Sequence, residues 1–209
     1  MLRPNEPLGK GLSIVYDLLV LSILFLVASL PVVTVGVAII ALYECVYAVL
    51  ELRDGVIFKD FFLAFKRNLR PGFGMLLFYA LELLLMGGIA ASAIMLGAPV
   101  RLTVVIVVAI IGGIGCWVPA LAGRFEQKLG VTVKNAYLIG IRNIHITLLL
   151  ALINFGIPLL VWLMPEEFLR WYLFLFMFFA PAGCAFLTAK LVLRVLDRQY
   201  PEQNERAEG

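Results

Sequence analysis

The sequence predicts an all-α fold, a polytopic membrane bundle of about six transmembrane helices with amphipathic cytoplasmic helices and a parallel internal repeat. Three observations predict it. Of the 209 residues, 63% are apolar and only 15% charged, where a soluble domain is nearer half and a quarter, and the mean hydropathy is +1.01. Apolar runs repeatedly reach the roughly 20 residues that a helix needs to cross a hydrocarbon core. They show no period-two alternation, which excludes a closed barrel, the only other structure that satisfies its backbone in lipid. The chain reads as one integral membrane domain, 1–209, with no room for a soluble one.

The first run, Leu12 to Leu30, follows Arg3 and Lys10 in the manner of a signal peptide. Its length, Asp17 in its early turns and the lack of a small-x-small cleavage site keep it as a span. The second, Val33 to Leu52, is the least regular: Pro31, Thr34 and Gly36 mark a turn and Glu44 interrupts the run, so a re-entrant segment is the alternative. Phe73 to Leu96 and Leu102 to Leu121 follow, joined by the tight turn Gly97-Ala98-Pro99. Gly87, Gly88 and Ala91 on one and Gly112, Gly113 and Gly115 on the other point to close helix packing. Ile146 to Met164 and Phe168 to Leu191 complete the set. Pro119, Pro158 and Pro181 lie within or at the ends of spans, where each frees a carbonyl one turn earlier and predicts a kink. Cys45, Cys116 and Cys184 sit far apart in apolar runs, with neither a disulfide nor a metal-ligand spacing, and read as small packing residues.

Orientation follows from the bias of Lys and Arg towards cytoplasmic loops. With the N-terminus inside and six crossings, fifteen of the seventeen basic residues are cytoplasmic, Lys59, Lys66, Arg67, Arg124, Lys134 and Arg142 among them. Only Arg101 and Arg170 lie outside. The expected location is a cell membrane, crossed several times, with both termini in the cytoplasm.

The two basic loops resemble each other. Offset by 75 residues without gaps, Glu51 to Asn68 aligns with Glu126 to Asn143, with identity at Glu51/Glu126, Gly55/Gly130, Val56/Val131, Lys59/Lys134, Leu63/Leu138, Arg67/Arg142 and Asn68/Asn143. Each copy follows an inward span and precedes an outward one, so the repeat is parallel, about an axis along the membrane normal. Within the first copy, Phe58, Phe61, Phe62, Phe65 and Leu69 fall on one helical face, which predicts a helix over 57–70 lying in the membrane interface. The second, over 131–145, has Gly140 where the first has Phe65 and is expected to sit more deeply against the bundle.

At these loops the sequence resembles the YesL-like family of bacterial membrane proteins, whose domain has no established function. The resemblance rests on PVVTVG with Ala41 to Tyr43, on IFKDFFLAFKRN from Ile57 to Asn68, and on GRFEQ, VKNAYL and IRNIHIT between Gly123 and Thr147. It runs from about residue 15 to 190, and departs from the family where a proline usually follows the glycine of the turn and this chain has Val37. Genes of the family commonly lie beside carbohydrate importers, so the resemblance implies an accessory role in sugar uptake, with transporter subunits as partners.

Nothing in the sequence supplies a catalytic, cofactor-binding or metal-binding pattern: there is no phosphate-cradling Gly-rich loop, no HExxH and no Ser/His/Asp set, since His145 is the only histidine,. An enzyme is not expected. The net charge of +3 is too small to imply nucleic acid,. Arg53-Asp54-Gly55 with the helix after it and Pro71 resembles, with its proline a few residues late, the coupling loop of import permeases. Two acids stand deep in spans, Glu44 at roughly 12 Å and Glu82 at roughly 15 Å from the inner ends. No Lys or Arg lies deep in any span, so each must be neutral, hydrogen-bonded to a neighbour such as Tyr43, Tyr47 or Tyr79, exposed to water, or paired with another chain.

Two functions compete. One is an accessory subunit that binds a transporter through its cytoplasmic helices, with Lys59, Lys66, Arg67, Arg124, Lys134 and Arg142 contacting partner or lipid. The other is a small secondary transporter that uses Glu44 and Glu82 as proton or substrate groups. Assembly with a second copy of the chain is compatible with either.

Overall fold

The computed structural model describes residues 7–52, 56–94, 98–156 and 166–199. They form α1 (Pro7–Ala28), a 3-10 turn (Val32–Thr34), α2 (Val35–Leu50), α3 (Ile57–Arg67), α4 (Leu69–Ile94), α5 (Ala98–Gly115), α6 (Trp117–Arg124), α7 (Leu129–Arg142), α8 (Ile144–Ala151) with a π-turn (Leu152–Gly156), and α9 (Glu166–Gln199). No strand occurs among the described residues. Five helical stretches are long and apolar enough to cross a membrane: Gly11–Ala28, Val32–Leu50, Leu69–Ile89, Thr103–Arg124 and Met177–Gln199. A sixth arises if the pair Leu129–Arg142 and Ile144–Gly156, bent by 106°, counts as one. The predicted fifth span ends at residues, Pro158 among them, outside the described ones, as do Arg53, Asp54, Gly55 and Gly97.

The least regular run in the sequence is the centre of the bundle. α2 packs against α1, α3, α4, α6 and α9, and Ile40, Ala41, Leu42, Cys45 and Val46 on it are buried. It is a continuous helix of 16 residues, about 24 Å long. The Pro31 to Gly36 turn enters it rather than breaking it: the Thr34 hydroxyl lies between the Ala28 carbonyl at 2.6 Å and the Pro31 carbonyl at 2.7 Å, which share its one proton, closing the link from α1. At its other end Leu52, with φ of 52°, takes the left-handed position that usually falls to glycine and turns the chain out of the helix,.

Gly36 and Gly72 let α2 and α4 cross backbone to backbone. A Cβ on Gly36 would meet the Gly72 carbonyl and, at 2.7 Å, the Leu76 nitrogen. Gly113 plays the same part between α5 and the Thr147 carbonyl of α8. Gly87 and Gly88 do not: nothing lies within 4 Å of a Cβ on either, so the close packing expected there is made by Gly112, Gly113 and Gly115 alone. Spacing along a helix shows that small residues share a face, and whether a neighbour covers that face is decided by the crossing point.

The prolines act as backbone chemistry requires. Pro119 removes the donor that would pair with the carbonyl four residues earlier, and the fourth span breaks at Cys116 into α5 and α6. Pro181 lies inside α9 without ending it; beside it, the Ala182 N–H donates to the buried Ser22 hydroxyl of α1 at 3.2 Å.

α3 corrects one expectation. Of the five residues assigned to a single interfacial face, Phe61 is buried in the bundle and Phe65 is half-buried, whereas Phe58, Phe62 and Leu69 are exposed. The aromatic stripe is wide enough to serve two surroundings, the core on one edge and the outside on the other. α7 buries Thr132, Ala136, Ile139 and Gly140, with Gly140 fitting against Ile114, Trp117 and Thr147.

Candidate functional site

The ends of α2, α3, α6, α7 and α9 converge at one end of the bundle, and polar side chains join them. Glu44 of α2 is paired with Arg67, the last residue of α3, and accepts a hydrogen bond from the Asn68 amide at 2.8 Å. Glu51, at the end of α2, is paired with Arg124, the last residue of α6, where a cation also meets the negative end of the helix dipole. Arg67 reaches across to Glu126 at 3.4 Å. Asn143, between α7 and α8, exchanges two hydrogen bonds with Gln199 at the end of α9, at 3.1 and 2.8 Å.

The charged pairs, but not Asn143 and Gln199, frame a cleft of about 870 Å³ lined by residues of α2, the α3–α4 elbow, α6 and the start of α7. Glu44, Glu51 and Glu126 face Arg67 and Arg124 there, with Asn68, Gln127 and Thr132 between them. Its walls differ in stiffness. Arg124 is only 4% exposed, held by Glu51 and lying 5.5 Å from the centre of the Tyr47 ring, and Tyr47 donates to the Ala120 carbonyl at 3.0 Å. The Arg67–Glu126 contact joins side chains 60% and 83% exposed, so solvent screening leaves it weak.

This geometry corrects one sequence expectation. Glu44 is not an isolated acid near the midplane: the elbow at Asn68 brings Arg67 alongside it, and distance along one helix cannot reveal a cation folded in from the next. Arg124 stands in the wall of the cleft, held there by Glu51 and Tyr47. Arg67 stands at the mouth of the cleft, while Lys59, Lys66, Lys134 and Arg142 are exposed on α3 and α7 and do not line it. Glu51 and Tyr47 belong to the site and were passed over as site residues. Glu51 recurring as Glu126 one repeat later was the available signal.

Glu82 is placed apart, in the interior. It is 8% exposed, one carboxyl oxygen has no hydrogen-bond partner among the described residues, and the carboxyl packs against Gly115 at the break between α5 and α6. Elsewhere in the interior the Asn154 amide donates to the buried Thr188 hydroxyl at 3.1 Å. Asp17 is half-buried on α1 and His145 exposed on α8; neither joins the cleft.

No curated protein and no solved structure matches the chain. A family described as protein of unknown function, DUF624, matches residues 18–89, which run from α1 through α2 and α3 into α4 and carry Glu44, Glu51, Arg67, Asn68 and Glu82, but not the α6 and α7 side of the cleft.

Proposed function

We propose that this chain is a non-enzymatic membrane subunit whose cytoplasmic end binds a transporter partner through the charged cleft. The observation that carries the reading is the cleft's construction. Arg67 and Arg124 stand at helix ends and are paired with Glu44 and Glu51 of α2, with Glu126 on the loop after α6 beside Arg67, so two of the ion pairs are built into the bundle before anything binds. Preset charges of both signs steer approach and set specificity more than they add affinity. The inside placement of this end rests on the fifteen-to-two distribution of basic residues,. A carbohydrate uptake system is the partner class implied by the resemblance to the YesL-like family.

The same reading treats α2–α4 and α5–α8 as two copies of one unit. Support comes from matched burial at the 75-residue offset: Phe61 and Ala136, Ala64 and Ile139, Gly72 and Thr147, and Met75 and Leu150 are all buried, while Lys59 and Lys134, Leu63 and Leu138, and Phe73 and Leu148 are all exposed.

The test is affinity purification of the full chain in mild detergent with identification of co-purifying proteins. Arg67→Glu and Glu126→Lys, which reverse the cleft mouth, should each lose the partner, and a partner retained by both overturns the proposal. The second reading, a secondary transporter, is favoured by Glu82, buried in the interior with one carboxyl oxygen unpartnered among the described residues. Substrate flux into proteoliposomes that is lost in Glu82→Gln would select it.

A further inference from the structure

The outward faces of α3 and α7 carry one pattern twice. Lys59, Phe62, Leu63 and Lys66 are exposed, and so, 75 residues on, are Lys134, Tyr137, Leu138 and Ile141. α7 is turned by 106° from the apolar stretch that follows it, so with α8 along the membrane normal α7 lies across it, where the span ends. On α3, Phe58, Phe62 and Leu63 are 58%, 52% and 58% exposed, a contiguous apolar stripe that favours a cover other than water. Beside it runs an apolar groove of about 620 Å³ lined by Phe62, Phe65 and Leu69 and flanked by Lys59 and Lys66. The two lysines are two turns apart, about 10 Å along the helix.

We propose that α3 seats an anionic phospholipid, with an acyl chain in the groove over Phe62 and Leu69 and the phosphate between the Lys59 and Lys66 ammonium groups. The α7 face, with Lys134 beside Tyr137 and Leu138, is a second and weaker seat because Ile141 replaces the second lysine. Lysine favours lipid over protein as the occupant: it is depleted in the cores of protein interfaces, whereas at the edge of the apolar stripe of an in-plane helix its stem lies on acyl chains and its head reaches a phosphate. Arg67 is excluded from the seat, since Glu44 and Glu126 hold it. The seat therefore stands independently of the cleft and of its partner.

The experiment is a native mass-spectrometric titration of the full chain in detergent with phosphatidylglycerol and, separately, phosphatidylcholine. The wild type should bind phosphatidylglycerol preferentially. Lys59→Gln with Lys66→Gln should weaken that binding about 30-fold, roughly fivefold for each ammonium removed. Lys59→Arg with Lys66→Arg should retain it, which also shows that substitution at these exposed sites does not unfold the chain. Lys128→Gln with Arg198→Gln removes the same charge elsewhere and should leave it unchanged. Preference kept in the Lys59/Lys66 glutamine variant, or lost equally in the Lys128/Arg198 control, overturns the proposal, as does a photo-crosslinker at Phe62 that captures a protein rather than lipid in native membranes.

Discussion

The side-chain amide of Asn68 donates to the carbonyl of Ala64 at 2.8 Å, and that of Asn143 donates to the carbonyl of Ile139 at 2.9 Å. Each backbone N–H turns to the same carbonyl at 3.0 Å, and each backbone carbonyl starts the next helix by accepting from Gly72 or Thr147 at 2.9 Å. At each helix end the side-chain amide thus adds a second donor to a carbonyl that the backbone N–H already meets, which fixes the asparagine against the last turn without lengthening the link. Each amide also ties its elbow to another helix, Asn68 to Glu44 on α2 and Asn143 to Gln199 on α9.

These bonds predict unequal costs. Asn143 is 3% exposed, so Asn143→Ala, which removes three side-chain hydrogen bonds, should destabilise the protein by about 2–3 kcal/mol, while Asn68→Ala, half-buried, should cost about 1 kcal/mol. Chemical unfolding in detergent, followed by tryptophan fluorescence, measures both. Adding Gln199→Ala to Asn143→Ala should cost little more, because the pair shares its bonds.

Arg124 and Glu51 should behave as a buried pair. Removing one charge, by Arg124→Gln or Glu51→Gln, leaves the other enclosed and should cost about 3–5 kcal/mol, with the double variant less damaged than the sum. Glu126→Gln, which touches only the exposed reach of Arg67, should change stability by less than about 1 kcal/mol. Thermal unfolding of the four variants side by side decides it.

Glu82 and Gly115 predict a rescue. Gly115→Ala drives a methyl into the Glu82 carboxyl and should cost about 1–3 kcal/mol by overpacking, whereas Gly115→Ala with Glu82→Ala should recover much of the loss by vacating the space. Equal stability of the single and double variants would show that the carboxyl does not occupy that position.

Lys59 and Lys134, exposed at matched positions on the two elbow helices, should lie on one side of the membrane. Single cysteines there, in protein otherwise free of cysteine, are expected to react with an impermeant maleimide only after cells are opened. Labelling of either in intact cells would reverse the assigned orientation.

Much of this architecture could be read from composition and run length, because the hydrophobic requirement of a span is local and survives without tertiary context. The two elbows were not placed: the cytoplasmic helices were expected over 57–70 and 131–145, and they end at Arg67 and Arg142, although Arg-Asn recurs there in both copies and helix-end chemistry acts within four residues. The cleft was not legible either. Glu44 was read as a lone acid because its cation comes from 23 residues away on another helix, and the pairing of Arg124 went unread because it depends on where Glu51 and Tyr47 fall once α2 and α6 cross. Gly123 permits that crossing by lying against Tyr43 and the Glu44 nitrogen, yet in the sequence it is one glycine among 18. Pairings of this kind depend on helix order in space, which hydropathy does not encode.

The bond from the Ala182 N–H to the Ser22 hydroxyl joins residues 160 positions apart, and this sets a timetable for biosynthesis. At about 5–20 residues per second, α1 is made roughly 8–30 s before the partner of its serine exists. During that interval the Ser22 hydroxyl can donate back to a carbonyl one turn earlier, and it can keep that bond when α9 arrives, because its oxygen accepts from the Ala182 N–H. The contacts of α1 with α2 and α3 can form early, but its contact with α9 waits for the last helix, so a chain stalled before residue 182 should expose to proteases the face of α1 that α9 covers.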